Sequence, residues 1–149
     1  MKVAPLLQIA WIIANAEAKN LGATEIQPVH FLLAVMKIID PEFPTQLESL
    51  DVSSEEWCVM CKEAQSIRRY IDVLPERVTK KRRALRSRLA QDQVVPPIKA
   101  KGMLHRAKST KRAFADAMFL AEGDELTLKQ FVKSLFEIGL VGLSQIDGK

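Results

Sequence analysis

The sequence predicts an all-α protein built from two tandem helical repeats. Hydrophobic residues make up 48% of the chain and aromatic residues only 6%, while strong helix formers are abundant. Apolar residues recur at three- and four-residue steps, and no segment shows the alternation typical of a β-strand. A third observation is an internal repeat, in which segment 14–21 returns at 113–120 and segment 26–38 returns at 126–138.

The repeat defines the expected organisation of one domain. Its matching positions are Ala14, Ala16, Ala18 and Leu21 with Ala113, Ala115, Ala117 and Leu120, then Ile26, Phe31, Val35 and Ile38 with Leu126, Phe131, Leu135 and Ile138. We expect a pseudo-twofold pair of units: a first repeat over 1–75, a basic helix or linker over 76–98, and a shortened second repeat over 99–149.

Proline, glycine and capping residues mark the helices of the first unit. A helix is expected from Pro5 to Leu21, ended by Gly22, and a second from Pro28 until Pro41 interrupts the chain. Residues 45–50 are predicted to form a short helix. Ser53 and Glu56 have the spacing of a capping box, so a long helix is expected to follow until residue 74.

The remaining predicted helices are weaker or shorter. Residues 76–90 contain few large apolar side chains, which indicates a helix on the surface or one only partly ordered. The second unit is expected to contain a helix over 104–120 and another that is capped by Thr127 and buries Phe131.

The N-terminus has two readings. The apolar run 3–13 followed by Ala14-Asn15-Ala16 has the layout of a secretory signal peptide, but residues 14–21 belong to the repeat, so we expect a core helix. No run reaches the length needed to span a bilayer. Because two cysteines are too few for a disulfide framework, we expect a reducing, cytoplasmic compartment and no membrane contact.

Segment 14–36, ANAEAKNLGATEIQPVHFLLAVM, resembles the N-terminal repeat of the Clp chaperone ATPases. The shared features are an alanine-rich helix, a Leu-Gly stop, an aliphatic residue four positions later and a helix opening with a His-led leucine run. The segment ADAMFLAEGDELTLKQFVKSLF matches the same pattern more loosely. The resemblance covers most of the chain except the basic stretch and the short tail.

The resemblance implies an all-α, non-enzymatic interaction module. In that family the domain captures unfolded or peptide substrates, or an adaptor protein, for an AAA+ ATPase that unfolds proteins. By analogy, the groove between the two units is expected to bind the partner through the following residues: Val29, His30, Leu33, Lys129, Gln130 and Lys133.

Two departures from the family limit the analogy. Members that recognise phosphorylated arginine carry an acidic residue where this chain has Val29 and Lys129, so that activity is not expected. The chain also has no phosphate-binding loop of the type G-x-x-x-x-G-K-[ST]. It is therefore expected to be either a fragment of a longer ATPase or a free-standing adaptor.

Charge is segregated along the chain. Segment 77–112 contains thirteen basic residues and one acidic residue, although the net charge of the whole chain is only +4. The alternatives for this segment are a polyanion or nucleic-acid surface, a dock for an acidic partner or for the chain itself, and a solvated linker. The candidate polyanion-binding residues are Arg77, Lys80, Lys81, Arg82, Arg83, Arg86 and Arg88. No aromatic residue lies between Tyr70 and Phe114, which argues against single-strand recognition.

No catalytic or metal-binding constellation is evident, and no cofactor is expected. Cys58 and Cys61 form a C-x-x-C pair near a helix start, which leaves a dithiol redox protein as a further alternative. Their spacing also suits small core residues. Only His30 and His105 could complete a zinc site, and His30 is expected to cap or pack because no neighbouring group would orient it as a base.

Overall fold

The computed structural model describes residues 2–43, 53–99 and 102–147, and this part of the chain is mainly helical. The helices are α1 (Pro5–Asn20), α2 (Pro28–Ile38), α3 (Ser54–Ile71), α4 (Val78–Gln91), α5 (Lys108–Leu120), α6 (Leu128–Glu137) and α7 (Leu143–Asp147). A 3-10 turn spans Pro75–Arg77, and the two strands are β1 (Lys2–Val3) and β2 (Glu125–Leu126). The all-α class predicted from the sequence is confirmed.

Helix α2 is the centre of the core. Nine of its eleven residues are buried, because α1 covers one side and α4 another. Helix α1 contributes a stripe at helical spacing whose small members let the two helices approach closely: Leu6, Leu7, Ala10, Ala14 and Ala18, each at most 1% exposed. The N-terminal apolar run is therefore a core helix in this structure.

Helices α5 and α6 pack against this pair through aromatic rings. The centroids of Phe114 and Phe131 lie 4.2 Å apart, and Phe31 of α2 meets Phe131 edge-on at 4.9 Å. Trp11 of α1 contacts Phe114 with a centroid distance of 5.1 Å. The front and back halves of the chain therefore share one core.

Short parallel contacts connect the two halves. Strand β1 pairs with β2, and Ile26 forms an isolated parallel bridge with Arg106. The N–H of Ala4 donates to the carbonyl of Leu126 at 2.9 Å, and the N–H of Ala107 donates to the carbonyl of Ile26 at 3.0 Å. In each case, the residue directly before the first helix of one half bonds to the residue two positions before the second helix of the other half.

These contacts place α5 in a different register from the one that the alanine pattern predicts. Ala4 and Ala107 are both the N-cap residues of their helices, which matches Ala10 with Ala113 rather than Ala14 with Ala113. The predicted register is displaced by about one helical turn, since alanines at four-residue steps allow both alignments. Helix α5 also begins at Lys108 rather than at residue 104, because the preceding residues are extended.

Helices α3 and α4 cover opposite parts of this core. Helix α3 packs mainly on α6 through Met60, Ile67 and Ile71, and it begins as predicted at Ser53, whose Oγ accepts the N–H of Glu56 at 3.2 Å. Helix α4 buries Val78 and Leu85. The basic segment predicted over 76–90 is therefore an ordered helix. The short helix predicted over 45–50 lies outside the described residues.

Candidate functional site

A cleft of about 440 Å³ lies where the two halves meet. Its floor includes Leu6 at the start of α1 and Met60 of α3, and Val59 stands at its edge with 65% of its surface exposed. Thr127, the N-cap residue of α6, closes the side formed by the back half. The cleft is therefore lined by elements from both halves of the chain.

Carboxylates surround this apolar floor, and we call the whole site the acidic cleft. They are Glu55, Glu56, Glu63 and Glu125. Three of them come from α3, where residues 55, 59 and 63 follow one another at four-residue steps and lie on one helix face. Glu125 comes from β2, whose parallel pairing with β1 fixes its position.

Glu63 is the most perturbed group of the acidic cleft. Burial raises the pKa of its carboxyl to about 7, while the backbone N–H groups of Leu128 and Lys129 oppose this rise. Its Oε2 is buried, and no hydrogen-bond partner for it is present in the part of the chain that the structure describes. A cationic group entering the cleft would satisfy this oxygen and favour the ionised form.

The six residues predicted to line a groove do not share one surface. His30 and Leu33 are buried in α2, and Val29 faces a concavity beside Leu85 and Leu89 of α4. His30 caps its helix, because its Nδ1 accepts the N–H of Gln27 at 2.8 Å. Burial lowers the pKa of His30 to about 4, so it is neutral at pH 7. The groove prediction is therefore wrong for His30 and Leu33.

The other three predicted residues lie at the start of α6. Lys129 donates to the Oγ of Ser66, and the ammonium of Lys133 lies 5.8 Å from the ring centroid of Tyr70. The Oε1 of Gln130 accepts the N–H of Thr127 at 3.0 Å. Lys129 and Lys133 thus hold α3 against α6, next to the acidic cleft rather than inside a groove with Val29.

The seven candidate polyanion-binding residues divide into an inner and an outer group. The guanidinium of Arg86 forms a two-pronged pair with the buried Glu17 of α1, and Thr79 donates to Asp40. Arg82 lies between them and is partly buried; burial, followed by the charge of Arg86, lowers its pKa. These contacts are the intramolecular docking that was one alternative for the basic segment.

The outer group borders a concavity of about 430 Å³ beside α7. It consists of Arg77, Lys80, Lys81 and Arg88. Two of these cations have intramolecular partners, since Lys81 pairs with Asp147 and Arg88 donates to the carbonyl of Gln145. Arg83 is exposed outside this concavity. We call this concavity the basic pocket.

The C-x-x-C pair lies in the first half of α3. Cys58 is exposed and Cys61 is partly buried, and both are free thiols. Burial and then the proximity of Cys58 raise the pKa of Cys61, which disfavours the thiolate form of Cys61. Across residues 2–43, 53–99 and 102–147, no three His, Cys, Asp or Glu side chains are grouped closely enough to hold a metal ion.

Sequence reasoning missed the acidic cleft. From the sequence, Glu56 is expected only to form a capping box with Ser53. The local signal for the cleft is the stripe of Glu55, Val59 and Glu63 at four-residue steps. Nothing local indicates that this stripe faces the start of α6, because that contact joins residues more than sixty positions apart.

In comparisons with known proteins, no family model, curated protein or solved structure matches this chain. Among the described helices, none combines the length and apolar character required to cross a membrane.

Proposed function

We propose that this chain is a non-enzymatic protein-interaction module, built from two related helical units like the N-terminal domain of the Clp chaperone ATPases. Its ligand is an unfolded or peptide substrate, or an adaptor, that carries both cationic and apolar side chains. Such a module would serve an AAA+ unfoldase, either within a longer chain or as a separate adaptor.

Contacts across the centre of the molecule support the two related units. Trp11 and Phe114 occupy corresponding positions, as do Phe31 and Phe131, and the members of each pair touch each other. Corresponding residues meet in this way only near a twofold axis. The two matched hydrogen bonds of Ala4 and Ala107 fit the same axis.

The acidic cleft is the observation that carries the proposed ligand class. It combines an apolar floor with four carboxylates, and Glu63 has a buried oxygen without a partner. Apolar contacts would supply binding energy, while carboxylates would select cations and speed up association. A cationic amphipathic segment matches both features, and an acidic segment would be repelled.

A pair of model peptides tests this function. We expect a labelled Lys/Leu amphipathic peptide to give a saturable rise in fluorescence anisotropy with the full chain, and a Glu/Leu peptide of equal length to give none. Reversing one carboxylate of the acidic cleft, Glu56→Lys, should weaken binding of the Lys/Leu peptide by about fivefold or more.

The matched control is Glu76→Lys, which makes the same charge change at an exposed residue outside the cleft. It should leave affinity within about twofold, since exposed charges a Debye length away are screened. Equal weakening by both variants, or equal binding of both peptides, would refute specific binding in the acidic cleft.

The basic pocket supports a second candidate function, polyanion binding. Four cations around one concavity would attract phosphates, although their partners Asp147 and Gln145 compete for two of them. Duplex DNA should then bind with a log affinity that falls linearly with log salt, and Lys80→Glu should weaken it while Lys62→Glu does not. Absence of binding at about 50 mM salt would reject this function.

A further inference from the structure

The C-terminal end of α5 exposes three consecutive apolar side chains. Phe119 is 87% exposed, Leu120 is 57% exposed and Met118 is 45% exposed. We call these three residues the α5 patch. Within the described residues, no N–H group from outside the helix donates to a carbonyl of residues 117–120. In the described part of the chain, Phe119 is therefore largely uncovered, and the end of α5 has no backbone donor from another segment.

The corresponding end of α1 is covered by a segment of the same chain. The N–H of Ile98 donates to the carbonyl of Lys19 at 2.9 Å, and the Nε2 of Gln93 donates to the carbonyl of Asn20 at 3.1 Å. Gly22 has a φ of +72°, and a Cβ there would lie 2.5 Å from the carbonyl oxygen of Val95. The extended segment 93–98 thus lies directly against the end of α1.

This covered end indicates what would fit the uncovered one. Seven residues separate each helix end from the helix that follows, so Asn20 and Leu120 lie at the same distance in sequence from that helix, although α1 is about one turn longer than α5. The covering segment Gln93–Lys99, QVVPPIK, is extended and ends with a cation; among its aliphatic side chains Ile98 is half-buried, whereas Val94 is 95% exposed. An extended backbone offers the N–H donors that a helix C-terminus needs.

Charge at the α5 patch favours the same kind of segment. Glu122 and Asp124 are exposed just beyond the end of α5, and Asp116 lies one turn before it. The C-terminus of a helix also carries partial negative charge. A cation at the end of an incoming aliphatic segment would therefore be attracted, whereas an acidic residue would be repelled.

We infer that the α5 patch is a docking site for an extended, aliphatic and cationic segment of a partner polypeptide. The segment lies across the end of α5 as residues 93–98 lie across the end of α1. It donates a backbone N–H to a free carbonyl and places aliphatic side chains on Phe119. This surface is separate from the residues that line the acidic cleft.

The test uses the covering segment itself as a peptide. We expect the peptide QVVPPIK, added to the full-length chain, to shift the NMR amide signals of residues 117–122 in a saturable manner, with a Kd on the order of 100 µM. A peptide in which both valines and the isoleucine are replaced by serine should not produce these shifts, because it lacks the apolar contacts.

Variants separate the α5 patch from other surfaces. Phe119→Asp should weaken binding of QVVPPIK at least about tenfold, because it removes the largest apolar contact and adds charge. Ile12→Asp is the matched control, since Ile12 is 60% exposed on the outside of α1, and it should bind as the unmodified chain does. Glu56→Lys, which tests the acidic cleft, should also leave this binding unchanged.

Two results would overturn the inference. One is equal binding of QVVPPIK to the Phe119→Asp and unmodified chains, which would place the peptide elsewhere, for instance in exchange with residues 93–98. The other is the absence of peptide binding together with a concentration-dependent dimer that Phe119→Asp abolishes, which would assign the α5 patch to a second copy of this chain.

Discussion

The first helices of the two halves, α1 and α5, begin alike and end differently. Each starts after an N-cap alanine whose N–H bonds across to the other half. The end of α1 is capped and lies under residues 93–98, whereas the end of α5 is exposed. Residues that determine a helix start are therefore not sufficient to determine what covers its end, and an uncovered end is available to a partner.

The largest expected difference in unfolding free energy is between substitutions of a buried and of an exposed phenylalanine in the back half. Phe131 is 0% exposed and contacts Phe31 and Phe114, so Phe131→Ala should lower the free energy of unfolding by about 3–5 kcal/mol. Phe119→Ala should change it by less than about 0.5 kcal/mol. Urea denaturation measures both, and a large loss in Phe119→Ala would show that the α5 patch is part of the core.

The next largest loss of stability is expected for the ion pair that joins α4 to α1. Removing Arg86 leaves the carboxylate of Glu17, whose side chain is only 7% exposed, without its partner, so Arg86→Ala should cost about 2–3 kcal/mol in unfolding free energy. The exposed neighbour Arg83 is the control, and Arg83→Ala should change stability by less than about 0.5 kcal/mol. Equal losses would mean that the pair with Glu17 does not hold α4 in place.

A smaller effect concerns pH and the acidic cleft. Because the pKa of Glu63 is raised from 4.5 to about 7, the folded chain keeps a proton that the unfolded chain has released between these values. Stability from this group therefore falls as pH rises through that window and is constant above it. Glu63→Gln should remove the fall and be more stable than the unmodified chain at pH 8, by roughly 1–2 kcal/mol after allowing for partial exposure.

The measurement for Glu63 is the difference between the two chains in urea unfolding from pH 5 to pH 8. The difference is needed because His30, with a pKa lowered to about 4, has the opposite dependence: its contribution rises with pH between about 4 and 6.5. Glu76→Gln, at an exposed position, should give no such difference. A difference that does not grow with pH would contradict the burial of an unpaired carboxyl at Glu63.

The smallest effect concerns the capping of α6. The Oγ1 of Thr127 accepts the N–H of Gln130 at 3.2 Å, so Thr127→Ala should cost about 1 kcal/mol in unfolding free energy. Thr127→Ser keeps the acceptor and should cost much less. If both substitutions cost the same, packing of the methyl group rather than capping would explain the loss.

Local signals predicted much of the fold. Pro5 and Gly22 marked the start and end of α1, Ser53 marked the start of α3 and Thr127 marked that of α6, because caps and helix breakers act on residues a few positions away. The alanine pattern predicts a repeat whose register differs by one turn from the one that the contacts of Ala4 and Ala107 favour. The contacts of Ala4 with Leu126 and of Ala107 with Ile26 distinguish the two registers.

The candidate sites depended on distant contacts and could not be predicted in the same way. In the sequence, Arg86 cannot be distinguished from the neighbouring surface cations, because its partner Glu17 lies 69 positions away. Val59 and Glu63 form a cleft only because α3 lies on α6. His30, which the family resemblance predicts to line a groove, is buried because its ring caps α2.

The proposal that a cationic amphipathic polypeptide occupies the acidic cleft is tested most directly by photo-cross-linking. A photoreactive residue placed at position 59, which is exposed at the edge of the cleft, should form a covalent product with the Lys/Leu peptide, and an excess of unlabelled peptide should suppress it. The same residue at position 12 or 80 should give little product. Equal yields at all three positions, or no product at position 59, would contradict binding in the cleft.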